Sequence, residues 1–377
     1  MVRSWPVETH AWLQIQPLHS EPDPKLDYLD VGEQEAIALS KTCYDHAANM
    51  LRFFCLGLLL LLSMTVQSSA TAEPVRLILD TDIGNDIDDT FALAMIHALQ
   101  NRGEVHLLAV TITKDNQYAA PFVNLVNTFY GRPDIPSGTV RHGKTPEDNA
   151  MIQGPAQRRD GEGRYLYPHR LQNGSEAPEA VELLTRILQE QPDSSVTIAQ
   201  IGFSTNLARL LQSPGGSDLV RRKVKLLSVM GGNFVEPKPE YNIYTDPESA
   251  RILFAKWPTP IIFSGFEIGL AVTFPYSSAT KLITAADTNP IGEACHLFFK
   301  KPENRPGWDP TAVLEAIRPY HKYFELSAPG RVTLGPKNTT VFTPDKGGNC
   351  RYLIVSPQTA MVIRQVIADL VMEPPKH

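Results

Sequence analysis

Cysteine is scarce in this chain. Four residues in 377, Cys43, Cys55, Cys295 and Cys350, form no CxxC pair and no Cys/His cluster at zinc spacing, which argues against a structural zinc site. A basic excess is missing too. Lys and Arg total 35 against 41 Asp and Glu, a formal net charge of −6, so there is no electrostatic footprint for nucleic acid. No internal repeat is visible, and the apolar run Phe53–Leu62 is too short for a comfortable membrane span. What is present is ordinary globular material, 42% hydrophobic and 20% charged, in a length that suits one large α/β domain or two ordinary ones.

Residues 50–72 read MLRFFCLGLLLLLSMTVQSSATA. A Met, an Arg, a short apolar core and the ending Ala70-Thr71-Ala72 are the parts of a secretory signal peptide, in order. Residues 1–49 are mixed, Pro-containing and without sustained period. They are read as a non-native or disordered extension, with translation starting at Met50. The expected organisation is an extension at 1–49, a signal peptide at 50–72 and a folded domain at 73–377. The chain is then exported after cleavage near Ala72, with no stable membrane anchor; an uncleaved anchor is the alternative. Export leaves Cys295 and Cys350, either bridged or as two buried thiols.

Strand and helix signals alternate from Val75 onward. Strands are expected at Val75–Leu79, Val105–Thr113, Val196–Ile201, Val224–Val229 and Pro260–Phe263. Helices are expected at Thr90–Leu99, Tyr118–Tyr130, Ala177–Gln189, Thr205–Leu211 and Pro247–Ala255. The alternation predicts an α/β fold, a mostly parallel open sheet flanked by helices in the Rossmann-like manner. The tail differs. It suggests a helix at Asp309–Phe324, strands at Arg331–Val341 and Tyr352–Val355 as an antiparallel edge, and a closing helix at Gln358–Val371. Residues 131–175, rich in Gly, Pro and charge, read as a long insertion near the site.

The chemistry concentrates in Leu79-Asp80-Thr81-Asp82-Ile83-Gly84-Asn85-Asp86-Ile87-Asp88-Asp89-Thr90. This segment follows a strand and precedes a helix, where ligands bind in open α/β sheets. A like-charged pair at about 4 Å and an effective dielectric of about 20 costs about 4 kcal/mol. Either some of these aspartates hold protons or a cation sits among them. The candidate donors are hard oxygens without His or Cys, which favours Ca²⁺ or Mg²⁺. A solvated acidic turn capping a helix is the plain alternative. An EF-hand counted from Asp80 fails, because its sixth and twelfth positions hold Asn85 and Phe91. A phosphotransferase-type DxD nucleophile at Asp80 and Asp82 stays open, although no hydroxyl residue follows Asp82 before Thr90.

The segment LDTDIGNDIDDTFAL resembles the N-terminal signature of the inosine–uridine-preferring nucleoside hydrolase family, with two extra residues before the aspartate pair. Three further stretches match in order. Ile201-Gly202-Phe203-Ser204-Thr205-Asn206-Leu207-Ala208 is similar to the family's G-x-x-T-N segment. Met230-Gly231-Gly232-Asn233 followed by Glu240-Tyr241-Asn242-Ile243-Tyr244-Thr245-Asp246-Pro247-Glu248 is similar to its M-G-G…E-x-N-x-x-x-D-P-E segment. Trp308-Asp309-Pro310-Thr311-Ala312-Val313 is similar to its late H-D-x-x-A segment. The resemblance covers about residues 75–320 and extends toward the C-terminus.

The resemblance implies a calcium-dependent N-glycosidase acting on a ribonucleoside or related N-riboside. Asp82 would be both calcium ligand and general base for the attacking water. Asp89, the backbone carbonyl of Thr205, and Asp309 would complete the protein ligands. Asp88, Asn116, Asn233, Glu240 and Asn242 would hold the ribose. A small-molecule substrate is expected and no nucleic-acid partner; a homo-oligomer is left open. The chemistry is coherent in itself, because a carboxylate-rich pocket favours an oxocarbenium-like centre. Plainer roles exist for several of these residues: a strand-ending turn for Asn233, N-caps for Thr205, Asp246 and Asp309, and packing for Trp308. Glu240 and Asn242 point the same way if their segment is extended.

The family pattern has a His, the acid for the leaving base, where this chain has Trp308. His321, Tyr320 or Tyr323 could supply a proton instead, with His142 and His169 further off. Two other functions compete: an exported ribose- or nucleoside-binding protein without turnover, and a DxD-type phosphatase.

Overall fold

The computed structural model describes residue 50, residues 73–301 and residues 303–376. The readings of 1–49 as an extension and of 50–72 as a signal peptide thus fall, Met50 apart, outside the described residues.

Central strands buried on both faces need near-continuous apolar runs, and the sequence supplies them. In chain order the strands are β1 Val75–Thr81, β2 Val105–Lys114, β3 Ser137–Lys144, β4 Val196–Gln200, β5 Val224–Met230 and β6 Ile261–Ser264. Then come β7 Thr273–Phe274, β8 Arg305–Pro306, β9 Glu325–Leu326, β10 Gly330–Leu334, β11 Thr340–Pro344 and β12 Cys350–Ile354. The main sheet runs β11-β10-β12-β6-β5-β4-β1-β2-β3. Seven strands, from β3 across to β12, are parallel. β10, β11 and β9 add an antiparallel edge around β12, and β7 and β8 form a separate pair.

Successive side chains of a strand face opposite layers, so the sheet divides the core in two. Leu77 and Leu79 of β1 pack with the helices Asp88–Asn101, Ala119–Phe129, Trp308–Ile317 and Pro357–Val371. Ile78 packs on the other side with Ala180–Glu190, Thr205–Gln212, Gly216–Lys223 and Pro247–Lys256. Cys295 and Cys350 are both buried and free, in different halves of that core.

Several expected boundaries shift. The helix read to Phe324 ends at Ile317, because Pro319 restricts the residue before it and withholds an N–H. The strand read as Arg331–Val341 is two strands, β10 and β11, separated by the turn at Gly335-Pro336. Residues 131–175 are not wholly loop: they contain β3 and the helix Ala150–Gln157. β3 is the outer parallel strand, with four buried residues followed by a polar end, so its apolar signal is short. The segment after Glu240 is helical, Tyr241–Thr245, with Glu240 as its N-cap, so Glu240 and Asn242 do not share a strand face.

The parallel strands β3-β2-β1-β4-β5-β6 have the doubly wound order, which reverses between β1 and β4. A crevice opens at such a reversal, beyond the carboxyl ends of the strands. Gly202, just past β4, lets the two chains close there: a Cβ on it would lie 2.5 Å from the Asp82 backbone nitrogen and 2.5 Å from Thr113 Oγ1. Gly202→Ala is therefore expected to cost about 1–3 kcal/mol through overpacking. Urea unfolding measures it, and an unchanged midpoint would show that β1 and β4 do not depend on this contact.

Candidate active site

The chain leaves β1 at Thr81 and reaches the helix Asp88–Asn101 through six residues. Gly84 takes φ +107 in that loop, a conformation strained for any side chain. The turn is tied by Ile83 N donating to Thr81 Oγ1 at 3.1 Å and Asn85 N donating to Asp82 O at 3.3 Å. Asp88 and Asp89 then occupy the first helical turn, whose cap offers no side-chain hydrogen bond. Free backbone N–H groups and the positive end of the helix dipole favour carboxylates there.

Asp309 arrives from the opposite side, in the first turn of the helix Trp308–Ile317. Its N–H donates to Asp88 Oδ2 at 3.2 Å, and Thr81 Oγ1 donates to Asp89 Oδ1. Asp88, Asp89 and Asp309 are all buried and each offers an oxygen within 4.8 Å of the others. Asp82 is outside that triad but lines the same cavity, of about 350 Å³, with Asn85, Asp86, Glu240 and Asn242. Ile201, Met230, Tyr241, Phe266 and Trp308 add apolar surface to the cavity, and Arg305 completes the lining.

Burial dominates the electrostatics. It lifts the Asp82 carboxyl to about 6, against the opposing hydrogen bond from Asn85 and the charge of Lys114. Asp88, Asp89 and Asp309 are pushed well above the carboxylate range, by burial first and by neighbouring carboxylates next. Glu240 rises to about 7 through burial, although it accepts N–H groups from Asn242, Ile243 and Gly232. The triad is a set of buried hard-oxygen donors, and charge repulsion among them is relieved by a hard divalent cation. The donor chemistry fits such an ion.

The other expected residues lie further from the cavity. Asp80 is fully buried, accepts from Thr111 Oγ1 at 2.6 Å and Asn206 Nδ2 at 2.8 Å, and does not line the cavity. Asn116 is buried outside the lining. Its Nδ2 donates to Pro146 O, Glu147 O and Asp148 Oδ1, and its Oδ1 accepts from Tyr118 N. Asn233 holds a turn, with Oδ1 accepting from Val235 N and Glu236 N. Thr205 begins its helix after the cap residue Ser204 and donates to Asp246 Oδ2 at 2.5 Å. Asp246 caps the following helix, accepting from Ser249 N. Asp309 is not a cap, because Gly307 holds that position.

The acid candidates separate in the same way. Tyr320, Tyr323, His321, His142 and His169 do not line the cavity, whereas Trp308 does. The Trp308 ring stacks on Phe266 with centroids 5.4 Å apart, and its Nε1–H donates to Phe266 O at 2.9 Å. Tyr241 provides the hydroxyl in the lining; its place between Glu240 and Asn242 was a usable sign. Arg305, paired with Asp86 through Nε at 3.0 Å, carries no motif and was not legible. Lys114, near Asp82 through Asn85, was also missed.

Comparison with known proteins accords with this geometry. The family model "Inosine-uridine preferring nucleoside hydrolase" matches residues 77–370. A pyrimidine-specific ribonucleoside hydrolase of Enterobacter sp. (strain 638) is 31% identical over 215 residues, 51% of this chain and 60% of its own length. An inosine-uridine preferring nucleoside hydrolase of Crithidia fasciculata is 27% identical over 225 residues, 58% of this chain and 68% of its own. The chain thus spans about 60% of the first of these relatives. An inosine-guanosine nucleoside hydrolase structure superposes with a TM-score of 0.59 at 20% identity, covering 78% of this chain and 98% of that one, which establishes a shared fold. With the match running from β1 to the closing helix, the chain belongs to the inosine-uridine preferring nucleoside hydrolase family.

Proposed function

We propose that this protein hydrolyses the N-glycosidic bond of a ribonucleoside or related N-riboside, with calcium as its cofactor. The observation that carries the proposal is the buried Asp88–Asp89–Asp309 triad sharing one cavity with Asp82, Glu240 and Asn242. Asp88, Asp89 and Asp309 would hold the ion; Asp88, expected among the ribose contacts, takes an ion role here because its oxygen lies within 4.8 Å of those of Asp89 and Asp309. Calcium, when bound, lowers the pKa of a water and orients it. Asp82 accepts the proton that the attacking water loses. Glu240 and Asn242 hold ribose hydroxyls and so fix the anomeric carbon relative to Asp82. The surrounding carboxylates favour the positive charge that develops on the sugar. Trp308 offers the aglycone an aromatic face rather than a proton, since its N–H is already committed to Phe266. We also propose export of the enzyme, supported by the signal-like order of residues 50–72.

A second reading, riboside binding without turnover, is favoured by one observation only, the tryptophan at position 308 in the lining. The phosphatase reading loses its first carboxylate, because Asp80 is fully buried and tied to Thr111 and Asn206.

Purified protein is expected to release ribose from inosine, uridine or a pyridine riboside in calcium, and to stop when calcium is chelated. Tight riboside binding with no ribose in any of these assays supports the second reading instead. Asp82→Asn should lower kcat by about 10²–10⁴-fold, the usual worth of a general base, while leaving calcium binding measurable by calorimetry. Asp309→Ala should weaken calcium about tenfold or more; equal affinity in wild type and variant removes Asp309 from the ion site.

The raised carboxyls also predict how the cation-free fold responds to pH. Asp82 at about 6, and Asp80 and Glu240 at about 7, keep protons in the folded chain that the unfolded chain gives up near 4. Their contribution is present at low pH and is lost as pH rises through 6 to 7. His97, lowered to about 3 by burial, and His169, also lowered by burial, pull the opposite way below about 6.5, but with two protons against several. In chelator, the melting temperature is expected to fall as pH rises from about 5 to about 7.5. Asp88, Asp89 and Asp309 are raised as well, so saturating calcium should flatten part of that slope by taking the place of their protons. Parallel curves with and without calcium would mean that the ion does not bind at that triad.

A further inference from the structure

Lys114 is an unusual residue for its place. It ends β2 and is only 2% exposed, and a buried ammonium is costly unless its hydrogens are met. Two acceptors meet it: Asn85 Oδ1 at 2.9 Å and the carbonyl of Thr145 at 2.7 Å. Asn85 passes the contact on, donating through Nδ2 to Asp82 Oδ2 at 2.8 Å and to Thr145 Oγ1 at 3.2 Å. An ammonium can only donate. It therefore fixes the amide with oxygen toward the lysine and NH₂ toward the carboxylate. Thr145, with φ 49, touches both partners, so the segment after β3 braces the loop after β1.

We propose that Lys114 and Asn85 form a relay that holds Asp82 in the orientation from which it takes the proton of the attacking water. The inference rests on Asp82 being that base. Both are positioning residues, since neither exchanges a proton with the substrate. Asn85 donates to Oδ2 of Asp82, which sets the plane of the carboxylate and so the direction in which its remaining lone pairs point. Without the lysine, the Asn85 amide can turn its oxygen toward Asp82, and two acceptors then face each other.

The test is a cycle of Lys114→Met, Asn85→Leu and the double variant, with Lys114→Arg as the conservative control. Lys114→Met should lower kcat about ten- to a hundredfold, the usual loss when a supporting residue goes, with KM changed less than about twofold. The double variant should be no slower than Asn85→Leu alone, because both act through one contact. Lys114→Arg should recover part of the rate. Wild-type kcat in Lys114→Met, a loss confined to KM, or losses that multiply in the double variant would overturn the relay. A readout without turnover stands beside these. The ¹⁵N-labelled Asn85 side-chain amide should exchange its hydrogens slowly in wild type and quickly in Lys114→Met; fast exchange in both also overturns it. If wild type releases no ribose from any riboside, Asp82 as base fails, and amide exchange alone decides whether the relay exists.

Discussion

Buried carboxylates gathered around one cavity set the terms for the rest of this structure. Asp88 and Asp89 sit in the first turn of one helix and Asp309 in the first turn of another, so two positive helix ends converge on the triad. Each end contributes about 0.3–1 kcal/mol, and up to about 2 kcal/mol when partly buried. A single pair of carboxylates at about 4 Å costs about 4 kcal/mol at an effective dielectric of about 20. Helix ends alone therefore cannot hold three ionised carboxylates together. Protons or a divalent cation must balance the cluster, and a site that works near neutral pH is better served by the cation.

The fold concentrates the charges by its topology. Reversal of strand order between β1 and β4 opens the crevice, and Ile201 N and Gly202 N both bond to Asp80 O, which locks the end of β4 to β1. Asp80 and Asp82, two residues apart, consequently have different duties. Asp80 is inside the strand and joins β1 to Thr111 of β2 and to Asn206 of the helix after β4. Asp82 is past the strand end and faces the cavity. One aspartate is a structural tie and the other is free for chemistry, because the strand stops between them at Thr81.

What could be read from the sequence follows the same division. Central strands announce themselves as apolar runs because both faces are covered, and the acidic loop announces itself because its carboxylates are consecutive in the chain. β3 did not, since an edge strand needs few apolar residues and ends in polar ones. The Asp86–Arg305 pair joins residues 219 apart, and no local pattern encodes such a contact. Asn116 and Asn233 have the residue type expected of sugar ligands. Neither lines the cavity: Asn116 donates to the loop at Pro146, Glu147 and Asp148, and Asn233 Oδ1 accepts from Val235 and Glu236, contacts that depend on loop paths invisible in composition. Glu240 and Asn242 line the cavity as expected but through a helix cap rather than a strand.

The cavity is lined by groups of two kinds, and the difference bears on selectivity. One kind is carboxylates and amides whose geometry is fixed by strand ends and helix caps. The other is Trp308 stacked on Phe266, with the Arg305 guanidinium 5.4 Å from the indole centroid. Hydrogen-bonding sites reject a ligand that lacks the matching group by large factors, whereas apolar walls discriminate between similar shapes by only about 1–3 kcal/mol. Under the proposed function, a ribose-like ring would be held to strict terms, and whatever is attached to it judged mainly by whether it is flat enough to lie against the indole. Arg305 tightens that wall without adding a free charge, because Asp86 already pairs with it. The stringency of the site lies with the buried carboxylates.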